Sequence, residues 1–540
     1  MLQNFRIPER LNIQQIADHI ERCYAEALDG MYVQLINGAA PAEKSRDEQI
    51  VEFLRKHPVK LGINLIARRT PVLRTYVKPI IPLRKEKRER KRAPFDDYTR
   101  LPLSAPRRTY SYRPNPKRVI YLLHNSRPFD NGGYAVRAHG IIKGLMSHGY
   151  EVIPILRPGY PYDTHPDVQD CPTSIEVDGV GYRFFPKGIA HRGEMSRWGY
   201  AKAYASALID VVENERPAVV HAASFFHNAH AALSVRERFG TPAIYEIRGL
   251  SALVDLSKQG NGLAFPRLFP TPKRFWEFRE EVELSKSVDH LLCITGGIAK
   301  LMTTLGVPGE RVSLLPNGVM DDVAVSPRAE RSEPQSFTLG YIGSIQRYEG
   351  LPLLVRAVEG LADKGLSVRL LIVGGGPYEK ALREEVDQSR CRDLIEFHGR
   401  VPHSDVDAFY RRCDAMVYPR LPLPVCEMVS PLKPFEPMAR EIPVIASNVG
   451  AMAEIVRDGV NGFTFEAGNL DDLVRSIEQF TKAPKAQINS ITMEAKRFVL
   501  EERRWGVLTK DTADIYDALY RSHHTAAPKE DPLDDSGVAA

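Results

Sequence analysis

The chain has 540 residues, 73 Lys and Arg against 68 Asp and Glu, a net charge of +5 and six cysteines. That length is too great for one core and implies two or three domains. No apolar run approaches ~18 residues and no two cysteines show CxxC spacing, so neither a membrane-spanning helix nor a disulfide or zinc scaffold is expected.

The charge is uneven. Residues 1–118 carry 25 Lys and Arg against 13 Asp and Glu, and the remainder is mildly acidic. No RNA- or DNA-binding motif accompanies the basic part, so no nucleic-acid partner is expected. The first residues, MLQNFRIPERLNIQQIADHIER, lack the apolar core of a secretory signal, which fits a cytoplasmic chain.

Residues 1–82 read as a helical N-terminal extension, with Ile13, Ile16, Ile20, Tyr24 and Ala27 on one helix face. Residues 83–116 read as a basic, Pro-rich linker containing RKEKRERKR at 84–92. Such a run is ordinarily solvated; the alternative is a peripheral contact with an anionic membrane surface. Flotation with anionic vesicles, full chain against one starting at Tyr112, separates the two.

At Arg118 the texture changes. Arg118–Leu123 (RVIYLL) is a buried strand, Gly132-Gly133 turns into a helix, and Val152–Leu156 is the next strand. Further strands are expected at Val219–His221, Ala243–Ile247, Leu291–Ile294 and Val312–Leu315, and a mobile loop at Lys258–Thr271. Residues 117–325 therefore read as a Rossmann-like α/β domain. After a polar link, residues 337–490 form a second one. Its strands are Phe337–Ile342, Val368–Val373 running into Gly374-Gly375-Gly376-Pro377, Ile395–Phe397, Ala415–Tyr418, Val444–Ala446 and Gly462–Phe465. Residues 491–521 read as a helix packing back across the domains, and 522–540 as a disordered tail. Two doubly wound sheets that face each other bind ligands at the carboxyl ends of their strands.

The stretch from Ala415 to Ser447 (AMVYPRLPLPVCEMVSPLKPFEPMAREIPVIAS) carries the chemistry. A helix opening near Pro434 offers free amides, Arg420 and Lys433 flank it, and Glu436 lies in its first turn. Cations for phosphates and a carboxylate for ribose hydroxyls suit a nucleoside diphosphate.

In order, GG (Gly132, Gly133), YEIRG (Tyr245–Gly249), PNGV (Pro316–Val319), YIGS (Tyr341–Ser344), VGGGP (Val373–Pro377), FHGRV (Phe397–Val401) and PLKPFEPMA followed by PVIAS resemble the retaining, GT-B-fold glycosyltransferases of family 4, the glycosyl transferases group 1. The resemblance covers Val119 to Tyr520. It implies two facing Rossmann-like domains, the second for the sugar nucleotide and the first for the acceptor. It places Glu436 on the donor ribose, Gly374, Gly375, Gly376, Arg400 and Val401 beside the nucleoside, and Gly132 and Gly133 against the diphosphate. The first glutamate of the paired-glutamate motif falls on Met428, with Glu427 adjacent as its substitute. The Arg and Lys usual after the YIG turn are absent; Ser344, Arg347 and Glu349 occupy that region. Lys433 and Arg420 are therefore the cations expected on the leaving diphosphate. His221, His227 and Arg248 are the acceptor-side catalytic candidates. No Asp-x-Asp metal motif is read before the site, so a metal-independent enzyme is expected; the resemblance implies no cofactor beyond the nucleoside-diphosphate sugar and a carbohydrate or lipid-linked acceptor, in surface polysaccharide or glycoconjugate synthesis. The alternatives are a non-catalytic GT-B scaffold and another GT-B enzyme, an epimerase or a phosphorylase.

Overall fold

The computed structural model describes residues 112–195, 197–258, 272–323, 337–402 and 405–524. The expected N-terminal helices, nearly all of the basic linker, the greater part of the loop at 258–271 and the tail beyond His524 lie outside the described residues.

The first domain is built on an eight-stranded sheet. Its strands are β1 (Asn115–Leu123), β2 (Glu151–Leu156), β3 (Ser174–Val177), β4 (Val180–Arg183), β5 (Pro217–Ala223), β6 (Ala243–Ile247), β7 (His290–Cys293) and β8 (Val312–Leu314), in the order β3-β4-β2-β1-β5-β6-β7-β8. Every pairing is parallel except that of β3 with β4. That hairpin is absent from the sequence reading, although Asp178-Gly179 is its turn, with φ of 51° and 75°; positive φ at both central residues matches the twist of two-residue hairpins. Six helices cover the sheet: α1 (Gly133–Ser147), α2 (Arg197–Glu215), α3 (Phe226–Phe239), α4 (Ser251–Lys258), α5 (Pro272–Ser287) and α6 (Gly296–Thr304). With helices on both faces, the central strands are buried along their length, and β1 is apolar from Val119 to Leu123.

The second sheet is wholly parallel. It runs β11-β10-β9-β12-β13-β14, from β9 (Phe337–Ile342), β10 (Val368–Val373), β11 (Ile395–His398), β12 (Ala415–Tyr418), β13 (Val444–Ser447) and β14 (Phe463–Phe465). The strand order reverses between β9 and β12, and a ligand crevice lies at such a switch point. Ten helices follow: α7 (Leu351–Asp363), α8 (Glu379–Gln388), α9 (Val406–Tyr410), α10 (Pro424–Met428), α11 (Phe435–Ala439), α12 (Gly450–Ala453), α13 (Leu470–Lys482), α14 (Lys485–Glu502), α15 (Trp505–Leu508) and α16 (Lys510–His524).

The single C-terminal helix expected from sequence is three. Phe498 and Val499 of α14 belong to the core of the second domain, whereas Trp505, Ala513 and Tyr516 of α15 and α16 belong to that of the first. The break falls where the chain crosses back beside its own outward crossing. Val319 N donates to Arg503 O (2.8 Å), and Trp505 N donates to Val319 O (3.1 Å). Trp505 then fills a notch in α1. A Cβ at Gly140 would lie 2.0 Å from the indole nitrogen, and one at Gly144 2.6 Å from Trp505 O.

The carboxyl ends of the two sheets meet. Thr295 Oγ1, after β7, donates to Met428 O (2.5 Å), and Asn317 Nδ2, after β8, donates to Ser430 O (2.8 Å). Glu454 of the second domain accepts from Gly296 N at the start of α6 (3.0 Å). Burial pushes the Glu454 carboxyl up to about 7, although the Gly296 and Gly297 amides pull it down.

Candidate functional site

The site grows from the turn that ends β9. Gly343 N donates to Val373 O (2.9 Å), Ile345 N to Gly375 O (3.1 Å) and Tyr378 N to Ile345 O (3.3 Å). The Gly343–Ile345 turn and the Gly374–Gly376 loop therefore lie flat against each other. A Cβ at Gly374 would meet Gly343 O at 2.0 Å and one at Gly376 would meet Ile345 O at 2.2 Å. These two glycines are required by contact between loops, whatever ligand approaches them. Arg400 runs across Gly375, where a Cβ would be 2.9 Å from its Cγ, and Val401 is half-buried beside the core. Ser344 is exposed, with its carbonyl accepting from Tyr341 OH (2.7 Å). Arg347 is exposed and opens the short 3-10 turn that carries Glu349.

Beside that turn lies the loop between β12 and β13. Although rich in proline, it closes one short helix, α10, over Pro424–Met428. It turns Glu427 inward, and Glu427 Oε2 accepts from Gly450 N (2.6 Å). Arg420 is buried: Nη1 donates to Val429 O (2.8 Å) and its carbonyl accepts from Ser447 Oγ (2.7 Å). The Lys433 stem passes Gly343, where a Cβ would be 2.4 Å from Lys433 Cε, and Nζ donates to Glu349 Oε1 (2.8 Å). Arg420 Nε stands 3.8 Å from Glu349 Oε2. Burial by itself would raise the Glu349 carboxyl; Lys433 and Arg420 outweigh it and hold the group below the ordinary glutamate value. Both expected diphosphate cations thus converge on one buried carboxylate, Glu349.

Glu436 projects from α11, a third exposed, with Arg440 Nη1 3.9 Å away. Since α11 has only five residues, it sums few peptide dipoles. The expectation that this helix start contributes an anion site is corrected accordingly. The sequence does hold an Asp-x-Asp pair before the site, Asp405 and Asp407, which corrects the reading that none is there; Asp407 is taken by Arg440 Nε (2.9 Å).

From the first domain, Gly132 and Gly133 open α1 against this loop, and a Cβ at Gly133 would be 3.5 Å from Leu432 Cδ1. Arg248 anchors that helix start. Its Nη1 donates to Tyr134 O (3.0 Å), and its Nε and Nη2 donate to Glu246 (3.0 and 2.9 Å). Arg137 Nε donates to the same carboxylate (2.7 Å), as does Tyr121 OH (2.6 Å). Arg248 is buried with its donors on protein groups, so it positions α1, which corrects its expected place as a catalytic group.

His221 is fully buried under the C-terminal helix and shares a hydrogen bond with Tyr516 OH (2.6 Å). Burial holds its pKa down to about 3 although Glu246 pulls the other way, so it is neutral at pH 7. That corrects the expectation that it faces a sugar. His227 is also buried, edge-on to Tyr200 (4.9 Å between ring centroids).

Two groups escaped the sequence reading. Glu246, inside the otherwise apolar strand AIYEI, is the hub beneath α1; a charge at the centre of a buried run signals a buried pair. Glu349 drew notice only as a missing cation, and 84 residues separate it from Lys433.

Two largely parallel sheets meeting at their carboxyl ends, with a glycine loop and a cation loop at the seam, define a protein of the GT-B architecture. Known proteins agree. The family described as Glycosyl transferases group 1 matches residues 324–497, and the one described as Glycosyl transferase 4-like domain matches residues 132–318. Each match spans one of the two domains, and together they support a group 1 glycosyltransferase. It is 22% identical over 435 residues to the glycogen synthase of Mycobacterium tuberculosis (strain H37Rv), covering 76% of this chain and 97% of that one. It is 23% identical over 241 residues to WcaL of Escherichia coli (strain K12), named as a colanic acid biosynthesis glycosyltransferase, and that match covers 44% of this chain and 59% of WcaL. Among solved structures, sucrose-phosphate synthase from Thermosynechococcus elongatus superposes with a TM-score of 0.61 at 17% identity, over 75% of this chain and all of that one. Anabaena HepE in complex with UDP and glucose gives 0.54 at 14% identity, over 74% and 100%.

Proposed function

We propose that this chain moves a sugar from a nucleoside-diphosphate sugar to a hydroxyl of a carbohydrate or lipid-linked acceptor, in surface polysaccharide or glycoconjugate synthesis, with retention at the anomeric carbon and without a metal ion. The observation that carries it is the Lys433 ammonium. It stands at the switch point of the second sheet, next to the loop that faces Gly133. The relatives' names support the reaction class and the polysaccharide setting.

In this reading the diphosphate departs, leaving an oxocarbenium-like sugar. The acceptor hydroxyl enters from the same face and gives its proton to the departing phosphate. The protein's main task is to stabilise charge growing on that phosphate. An ammonium has three donors, and Lys433 gives one to Glu349. The other two are for phosphate oxygens. Arg420, buried behind Glu349, supports from below, so the two cations are not equivalent. Gly132 and Gly133 close over the diphosphate, Glu436 takes the ribose hydroxyls, and Arg400 and Val401 border the base.

The test is turnover of UDP-, GDP- and ADP-sugars in excess EDTA, with the product anomer read by NMR. Retained configuration at an undiminished rate supports the reading. An inverted product, an EDTA-sensitive rate, or activity needing only free phosphate contradicts it. Glu436→Gln should weaken donor binding by about 1.5–3 kcal/mol, the worth of a charge-assisted hydrogen bond. Unchanged affinity in calorimetry would remove Glu436 from the ribose.

A further inference from the structure

The geometry points to an oxyanion subsite on the first domain, at the carboxyl ends of β1 and β2, where Arg192 and His124 take a phosphate or carboxylate carried by the acceptor. This rests on the reading of the chain as a glycosyltransferase whose first domain holds the acceptor. It makes that acceptor an acidic sugar or a sugar phosphate.

Two strand ends and one loop build the subsite. His124 follows β1 and Arg157 follows β2. Arg157 is buried and committed to the protein: Nη1 and Nη2 donate to Asp163 (2.7 and 2.9 Å), and Nε donates to His124 Nδ1 (3.2 Å). Burial, then Arg157 and Arg192, hold the His124 pKa well below its ordinary value, so the ring is neutral. With Nδ1 accepting, the ring proton is on Nε2, which has no partner among the described residues. Arg192 comes from a segment packed on Gly159, a residue with φ 85° where a Cβ would be 2.9 Å from Ala190 O. The Arg192 side chain is 39% exposed, and its ionic contact among the described residues is Nε to Asp163 Oδ2 at 3.9 Å. Two guanidiniums therefore share a carboxylate that Arg157 already engages with both Nη groups, and one net positive charge is left. Asp130, on the loop after β1, is engaged by Tyr160 OH (2.9 Å) and His165 Nε2 (3.2 Å). The Nη groups of Arg192, without a partner among the described residues, form a planar fork suited to an oxyanion.

Aromatic rings join this cationic end to the donor seam. His124 packs on Phe225 (4.3 Å between ring centroids), and Phe225 stacks on Tyr134 (6.4 Å, 11° between planes). Tyr134 stands at the seam: a Cβ at Gly249 would be 3.6 Å from its hydroxyl and 3.5 Å from Val429 Cγ2 of the second domain. Phe225 and Tyr134 are half-buried and give a sugar ring an apolar face. β2 is four strands from β7, about 19 Å at the spacing of a sheet, so its end stands clear of the Thr295–Met428 contact between the domains. An acceptor thus lies with its hydroxyl at the seam and its acid group on Arg192.

The experiment is calorimetric titration of the full chain saturated with whichever of UDP, GDP or ADP it binds, so that the diphosphate site is filled. Glucose 1-phosphate, glucuronic acid and methyl glucoside are the probes. At least one of the two acids should bind at least tenfold more tightly than the neutral sugar, and the tighter acid tells a phosphate from a carboxylate. Arg192→Gln should remove that preference with Tm within a few degrees of wild type, and Arg192→Lys should restore part of it. No binding of either acid, equal affinity for acid and neutral probes, or a preference that survives in Arg192→Gln overturns the inference. So does an Arg192→Gln chain that unfolds many degrees earlier, which would make Arg192 a structural group. A wild type that binds none of the three nucleotides overturns the functional reading and this inference with it. Normal nucleotide binding without a preference for acid overturns this inference alone.

Discussion

Lys433→Ala should lower kcat by about 10²–10³, the cost of removing one preorganised donor from a developing anion. The donor is preorganised because its stem is braced by Gly343 and its nitrogen by Glu349, so little reorganisation is left for the moment of reaction. The loss should fall mainly on kcat, since charge on the diphosphate grows towards the transition state. Loss of the ammonium also leaves Glu349 with Arg420 as its remaining cation, a stability cost distinct from the catalytic one. A Tm within a few degrees of wild type, measured on the same preparation, separates the two. Lys433→Arg should restore only part, for a planar fork cannot occupy the point of an ammonium in the same channel. Near-normal turnover of Lys433→Ala would shift the role to another cation, and exposed Arg347 is the next to test.

Trp505→Ala should cost about 3–5 kcal/mol of stability, as for a fully buried aromatic side chain. The indole fills the notch made by Gly140 and Gly144 of α1, and Arg137 lies over its ring at 5.4 Å. Trp505 also sets the course of α16, whose Tyr516 reaches His221. Losing it frees the chain that returns from the second domain and loosens α1, the helix that Gly132 and Gly133 open. Gly140→Leu attacks the same contact from the other side and should be about as damaging, since backbone and ring cannot both yield. Urea unfolding followed by circular dichroism reads both. A loss below about 1 kcal/mol in Trp505→Ala would mean that the notch collapses around the gap and the tail holds elsewhere.

The sheets were legible in the sequence because parallel strands buried on both faces read as unbroken apolar runs, and RVIYLL and VRLLIV fall where β1 and β10 are. The β3–β4 hairpin was missed for want of such a run: its strands have four residues each, and only the Asp-Gly turn marks them. α10 was hidden in a Pro-rich loop, where a five-residue helix has too little length for periodicity to show. The break after α14 has no local cause, since Arg503 and Arg504 are fair helix formers; pairing with Val319 stops the helix. That is a tertiary contact across some 180 residues.

The site divides the same way. The glycines, the cations and Glu436 could be picked out by type and order. What each side chain touches could not. His221 ends its β-strand run as an exposed base would, and only the helix from the far end of the chain shows that it is sealed. Glu349 looked like a loss of charge until Lys433 was seen to lie on it.

The central claim is that the Lys433 loop receives the diphosphate of a sugar nucleotide. Its most direct measurement is calorimetric titration of the full chain with UDP-, GDP- and ADP-glucose, repeated with Lys433→Ala. Saturable binding of one of them to the wild type is expected, displaced by the matching nucleoside diphosphate and weakened at least tenfold in the variant. Equal affinity of the two proteins, or no binding of any sugar nucleotide to the wild type, would contradict it.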